Sequence, residues 1–201
     1  MFKVSKHFSE IYPKAHVGLL VMRGVSNPAV HDDLETRKRD VELELRARFS
    51  AKTPNELDSI HPFSIYSAYY RKFDKTCHVT GQLKSIVFKD KSIPSVAALV
   101  EAMFIAELKN GLLTAGHDLD RIEPPLHLEA ATGNEIYTLM RGSEQVLKPA
   151  DMYIRDGKGI VSSILYGPDQ RTQIIEGTKN AAFTVYAPEG ISPVELEKHL
   201  K

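Results

Sequence analysis

The hydrophobic period of this chain changes once, near residue 126, from a helical repeat to short runs broken by turn residues. A switch of this kind puts helices mainly in the first half and strands mainly in the second, and with a strand at 17–22 predicts an α+β or layered mixed domain. Before the switch, Val30, Leu34, Val41, Leu45 and Phe49 form one stripe over about 30 to 49, with Asp32, Asp33 and Glu35 at the start and Arg46 and Arg48 at the end. A second, more apolar helix is predicted from about Ser95 to Asn110, opened by Pro94, closed by Asn110-Gly111, and burying Val96, Leu99, Val100, Met103, Phe104 and Leu108. Thr53-Pro54-Asn55-Glu56 and Ser192-Pro193-Val194-Glu195 read as capping boxes with proline at the first helical position. Strands are expected at 17–22, 135–140, 152–155, 160–166 and 181–187, separated by Arg141-Gly142-Ser143, Asp156-Gly157-Lys158-Gly159 and Gly167-Pro168-Asp169.

With 201 residues, of which 42% are hydrophobic, the chain can bury a core without covalent staples, and one domain over 1–201 is expected. Cys77 is the only cysteine, which excludes an intrachain disulfide and a multi-cysteine zinc site. The first residues lack an apolar signal core and no apolar run reaches membrane length, so the expectation is a cytoplasmic, membrane-free protein. Lys plus Arg and Asp plus Glu both number 26, so contact with nucleic acid has to be local. The stretch 71–91 holds Arg71, Lys72, Lys75, Lys84, Lys89 and Lys91 against Asp74 and Asp90. It reads either as an RNA-contacting patch, with Lys72, Lys75 and Lys84 on phosphates, or as a solvated face.

No phosphate-binding Gly-Lys-Ser/Thr loop and no Gly-x-Ser-x-Gly elbow occurs, and Gly157-Lys158-Gly159 precedes a strand-like run where a phosphate cradle needs a helix. Cys77-His78 in extended chain would point to opposite faces, so Cys77 is expected to be inert. The eight histidines show no paired metal-ligand spacing, and neither a metal nor another cofactor is expected. Tyr66, Tyr69, Tyr70 and Phe73 recur at helical spacing, as a core stripe or as a stacking platform beside Arg71. Gly116-His117-Asp118-Leu119-Asp120 suits a turn in which Asp118 accepts backbone amides.

The second half carries an ordered set of segments: Pro94-Ser95-Val96, Glu107-Leu108, Gly116-His117-Asp118-Leu119-Asp120-Arg121-Ile122, and Glu129-Ala130-Ala131-Thr132-Gly133-Asn134-Glu135. Asp151-Met152-Tyr153-Ile154-Arg155-Asp156, Tyr166-Gly167-Pro168 and Gly177-Thr178-Lys179-Asn180 continue it. The set resembles the B3/B4 domain, the tRNA-editing module of the bacterial phenylalanyl-tRNA synthetase beta subunit, over roughly 65–187. Tyr70-Arg71-Lys72-Phe73 is similar to a segment of its free-standing relatives.

The resemblance implies an α+β domain with a mostly antiparallel, sandwich-like sheet. It also implies a pocket between helix and sheet in which the family hydrolyses the ester joining wrongly attached tyrosine to the tRNA 3′ end. Arg71, Phe104, Ala115, His117 and Asp169 are the implied substrate-binding positions. The family's functional histidine falls opposite Ala115 and the asparagine of its preceding helix opposite Phe104. The wall is therefore more apolar, and a less strictly selected aminoacyl group is expected, with Asp169 or its neighbour facing the α-ammonium. Hydrolysis needs an oriented water and oxyanion donors, which turn amides, Ser162 or Ser163, and Thr172 could supply; the candidate catalytic groups are Ser163, Asp169 and Thr172. Two further outcomes stay open: a non-catalytic module binding an RNA end or an amino-acid-like ligand, and a structural or regulatory domain without activity. The expected partner is tRNA or its aminoacylated 3′ end rather than DNA, and a monomer is favoured.

Overall fold

The computed structural model describes residues 2–201. The change of period appears in it as a run of helices between residues 32 and 110 followed by strands between 114 and 187, with two strands and a short helix ahead of them. In chain order the elements are β1 (Phe2–Val4), α1 (Lys6–Ile11), β2 (His16–Arg23), α2 (Asp32–Phe49), α3 (Pro54–Leu57), α4 (Phe63–Arg71), α5 (His78–Lys89) and α6 (Ala98–Asn110). There follow β3 (Thr114–Asp118), a 3₁₀ turn (Leu119–Arg121), β4 (Leu126–Ala130), β5 (Ile136–Thr138), β6 (Glu144–Val146), β7 (Met152–Arg155), β8 (Ile160–Ser163), β9 (Gly167–Pro168), β10 (Asn180–Ala187) and α7 (Pro193–His199).

Two sheets form the frame, one of order β1-β4-β7-β8-β9 and one of order β2-β10-β3, and β5 and β6 make a separate hairpin. All pairings are antiparallel except β1 with β4. The sheets are tied together by Tyr186 on β10, whose hydroxyl is 2.8 Å from Ser162 Oγ on β8 and 2.9 Å from the Ser162 carbonyl. With the helices packed on them they make the α+β domain of mostly antiparallel sheet that the family resemblance implies.

The aromatic stripe of α4 is the seam between helices and sheets. Tyr66, Tyr69, Tyr70 and Phe73 are all buried, and each tyrosine hydroxyl reaches a polar group instead of being stranded in the core. Tyr66 donates to the Tyr186 carbonyl (2.6 Å) and accepts the Leu113 amide (3.1 Å), while Tyr70 donates to the Ile164 carbonyl. The stripe is core, and its phenols fix helix to strand.

Several boundaries differ from the sequence expectation. α2 begins at Asp32, leaving Val30 68% exposed, and α6 begins at Ala98, leaving Val96 55% exposed. The cause at α6 is tertiary: Ala97 is extended, the Val96 amide donates to Glu101 (2.8 Å), and the Ala98 amide donates to the Pro28 carbonyl (3.0 Å). The strand expected over 160–166 ends at Ser163, because the amides of Leu165 and Tyr166 both turn back to Ser163 Oγ (3.2 Å each).

Candidate functional site

The strand end at β3 and the segment after β9 are tied together by buried polar groups. The Asp118 amide donates to the Thr172 carbonyl (2.7 Å). Thr172 donates its hydroxyl and its amide to the Asp169 carboxylate, so the Thr172 oxygen accepts from His117 Nδ1 (2.9 Å). Burial, reinforced by the nearby Arg171 guanidinium, pushes the His117 pKa down to about 3, and its Nε2 has no partner among the described residues. Asp169 is 4% exposed; burial lifts its carboxyl above the usual range against the bonds from Thr172. Arg171 makes a two-pronged contact with Asp156 (2.9 and 3.0 Å) and lies 3.5 Å from Asp169. Burial works against the Asp156 carboxylate, but the amides of Glu123 and Lys158 together with Arg171 hold it below the usual range.

A second buried set lies under β7 and β8. Ser163 Oγ donates to Asp151 (2.6 Å), and Tyr69 donates to the other carboxylate oxygen (3.2 Å) while accepting the Met152 amide (2.7 Å). Burial pushes the Asp151 pKa up to about 7. Ser162 is committed to Tyr186.

Open space lies elsewhere. Between α4 and α5 is a cavity of about 660 Å³ lined by Arg71, Lys75, His78 and Lys84, with Cys77, Thr80 and Gly81 on its wall. An adjoining cavity of about 370 Å³ is lined by Leu139, Met140, Arg141, Leu165 and Tyr166, and Lys75 belongs to both. Lys75 Nζ sits 4.4 Å from the centre of the Tyr166 ring. Lys84 is tied to Asp58 (2.7 Å). His78 Nδ1 lies 3.1 Å from the Tyr70 hydroxyl. Burial raises the Cys77 thiol pKa, which disfavours the reactive thiolate.

The structure thus brings together Arg71, Lys75 and Lys84, but it puts Lys72 in a separate cavity of about 300 Å³ lined by Tyr12, Tyr69 and Met152. His117, Asp169 and Thr172 come together, but in the interior. Ser163 is joined to Asp151 instead, Phe104 is half-buried against the main core, and Ala115 is buried on β3. Sequence reasoning missed Asp151, Arg141, Tyr166 and the α5 residues Thr80 and Gly81. Gly81 carried a usable signal, being a glycine inside the apolar helical pattern of Val79, Leu83 and Ile86.

The family model of the B3/4 domain matches residues 64–195. The chain belongs to the B3/4 domain family. The match takes in α4 from its second residue through the first turn of α7, and so covers both buried polar sets and, Asp58 aside, the lining of the two cavities around Lys75. Seventeen chains of solved structure also match this B3/4 protein. One is an N-terminal fragment of the phenylalanyl-tRNA synthetase beta-subunit from Pyrococcus horikoshii, at 12% identity and a TM-score of 0.45, covering 92% of this chain and 42% of that one. The B3/4 protein therefore spans less than half of that fragment. No curated protein sequence matches it significantly. Among the described residues no helix is long and apolar enough to cross a membrane.

Proposed function

We propose that this B3/4 domain is a tRNA-associated module that receives the 3′ end of an aminoacylated tRNA in the paired cavities around Lys75. The observation that carries this reading is the placement of Arg71 and Lys75. They stand on one concave surface without a carboxylate in ion-pair contact among the described residues, and an aromatic ring, Tyr166, lies beside them. Cations of this kind position a phosphate backbone, and an aromatic face takes an unstacked base. The family supports the same partner, through its resemblance to a synthetase editing module.

In its catalytic form the reading is hydrolysis of the aminoacyl ester. Water adds to the carbonyl carbon, the bond to the ribose oxygen breaks, and the amino acid and the free ribose hydroxyl leave. Ser163, Thr172 and Asp169 spend their polar atoms on internal bonds, so their part in such a reaction is to hold the 163–172 segment in shape. The nucleophile this requires is an oriented water. A panel of mischarged tRNAs, including tyrosyl-tRNA, tests the proposal by filter retention and by release of amino acid. Retention and turnover are both expected, and both should fall in Arg71→Ala/Lys75→Ala. Retention without turnover on any member of the panel reduces the function to binding, and no retention at low salt removes the RNA reading.

A further inference from the structure

The cavity between α4 and α5 has three features that RNA contact by surface cations does not require. The first is the start of α5. Cys77 stands at the N-cap and makes no side-chain capping bond, so the first-turn amides of His78, Val79 and Thr80 have no intrahelical acceptor and carry the positive end of the helix dipole. The second is Thr80, a buried residue on the cavity wall whose hydroxyl finds no hydrogen-bond partner among the described residues. The Cys77 sulfur lies beside this hydroxyl and the amides of Val79 and Thr80, but a protonated thiol is a weak acceptor that an anion outcompetes. Buried hydroxyls are nearly always bonded, so an orphan in a cavity wall marks the place of a group that the protein alone does not supply. The third is Gly81, one turn in. Glycine weakens a helix interior, and here packing does not demand it, since an added Cβ would meet no heavy atom within 4 Å. Its bare backbone faces open space on the same cavity.

We propose that this cavity is a phosphate-binding pocket, in which the uncapped N-terminus of α5, Arg71 and Lys75 hold the anion against Thr80 and Gly81. The side chains of opposite charge are Asp58 and Asp74; Asp58 is occupied by Lys84 at 2.7 Å, which leaves Asp74 against Arg71 and Lys75. Backbone amides at a helix start joined to a guanidinium and an ammonium suit a tetrahedral oxyanion. At about 660 Å³ the cavity exceeds a phosphate and has room for the nucleoside attached to it. The phosphate is that of an RNA end or of a free nucleotide. The pocket rests on the tRNA reading only for the first of these sources.

The test is titration of the full chain with inorganic phosphate, AMP, adenosine and a 5′-phosphorylated CCA trinucleotide, followed by amide NMR shifts in α5 and by calorimetry. Shifts at Val79, Thr80 and Gly81 are expected with every phosphate carrier and not with adenosine; AMP binding tighter than the trinucleotide assigns the pocket to free nucleotides, and the reverse assigns it to RNA. Gly81→Ala should fold with an unchanged or higher Tm, because Ala favours the helix and its methyl enters open space, yet bind phosphate about tenfold more weakly. Thr80→Val, which removes the orphan hydroxyl at constant shape, should likewise keep its Tm and lose affinity. Adenosine binding as tightly as AMP, or wild-type affinity in both variants, overturns the pocket. A chain that retains tRNA while showing no shift in α5 with phosphate sinks this inference and leaves the RNA reading standing.

Discussion

Asp118 shows what one residue can disclose from its local chemistry. Its carboxylate accepts the Asp120 amide (3.1 Å) and the Thr178 hydroxyl (2.8 Å), capping the 3₁₀ turn and pinning β3 to the segment before β10. The turn role was legible because an aspartate two residues before an amide makes this bond in isolation; the tie to Thr178, 60 residues away, was not. Asp118→Ala should cost about 1 to 3 kcal/mol in denaturant melts. A wild-type midpoint would remove it from the scaffold. Glu107 is the opposite case, since nothing in a helix-favouring glutamate announces burial. Its carboxyl receives the Thr114 amide (2.9 Å), and burial pushes its pKa up to about 8. A raised carboxyl binds its proton in the folded state and loses it in the unfolded state between the ordinary value and about 8, so stability falls as pH rises through that window. Asp151 acts in the same direction up to about 7. His117 and His199, held neutral by burial with pKa values of about 3 and about 4, act oppositely, but only below the ordinary histidine value. Above roughly pH 6.5, where unfolded histidine no longer takes up a proton, the carboxyls stand alone. Wild-type stability should decline from there to pH 8, by at most about 1.4 kcal/mol per pH unit per carboxyl. Glu107→Gln should flatten the decline, and an unchanged pH profile in that variant would show that this carboxyl titrates normally.

At the scale of elements, helix ends governed by nearby side chains were readable and those governed by partners were not. Thr53 and Ser192 close their capping boxes as their sequences require. The start of α6 escaped because it is set by a buried clamp from another helix: Lys38 on α2 lies 2.7 Å from Glu101 and contacts Ser95 Oγ at 2.8 Å, with both charged side chains under 5% exposed. A lysine among the alternating charges of α2 reads as solvated, and only the packing of α2 on α6 makes it internal. Lys38→Ala leaves the buried Glu101 without its counter-ion, and should cost about 3 to 5 kcal/mol in chemical denaturation. A loss below 1 kcal/mol would mean that the clamp is open to water. α5 escaped for a different reason: Val79, Thr80 and Gly81 all lower helix propensity in its first turn.

For the molecule as a whole, the period change was enough for the α+β class, because periodicity records which faces are buried. The candidate site was only half legible. Arg71 and Lys75 stood out as charges, but the surface they form depends on strands far later in the chain, which bring Arg141 and Tyr166 beside Lys75. Nor could spacing show that Lys72, one position from Arg71, opens on a separate cavity. That separation gives the account its sharpest test, the salt dependence of tRNA affinity for wild type, Arg71→Ala/Lys75→Ala and Lys72→Ala. The double variant should bind more weakly, with the slope of log affinity against log salt reduced by about 0.7 to 0.9 for each phosphate it no longer neutralises. Lys72→Ala should keep the wild-type slope. An unchanged slope in the double variant, or a weakening confined to Lys72→Ala, would contradict the placement of RNA around Lys75.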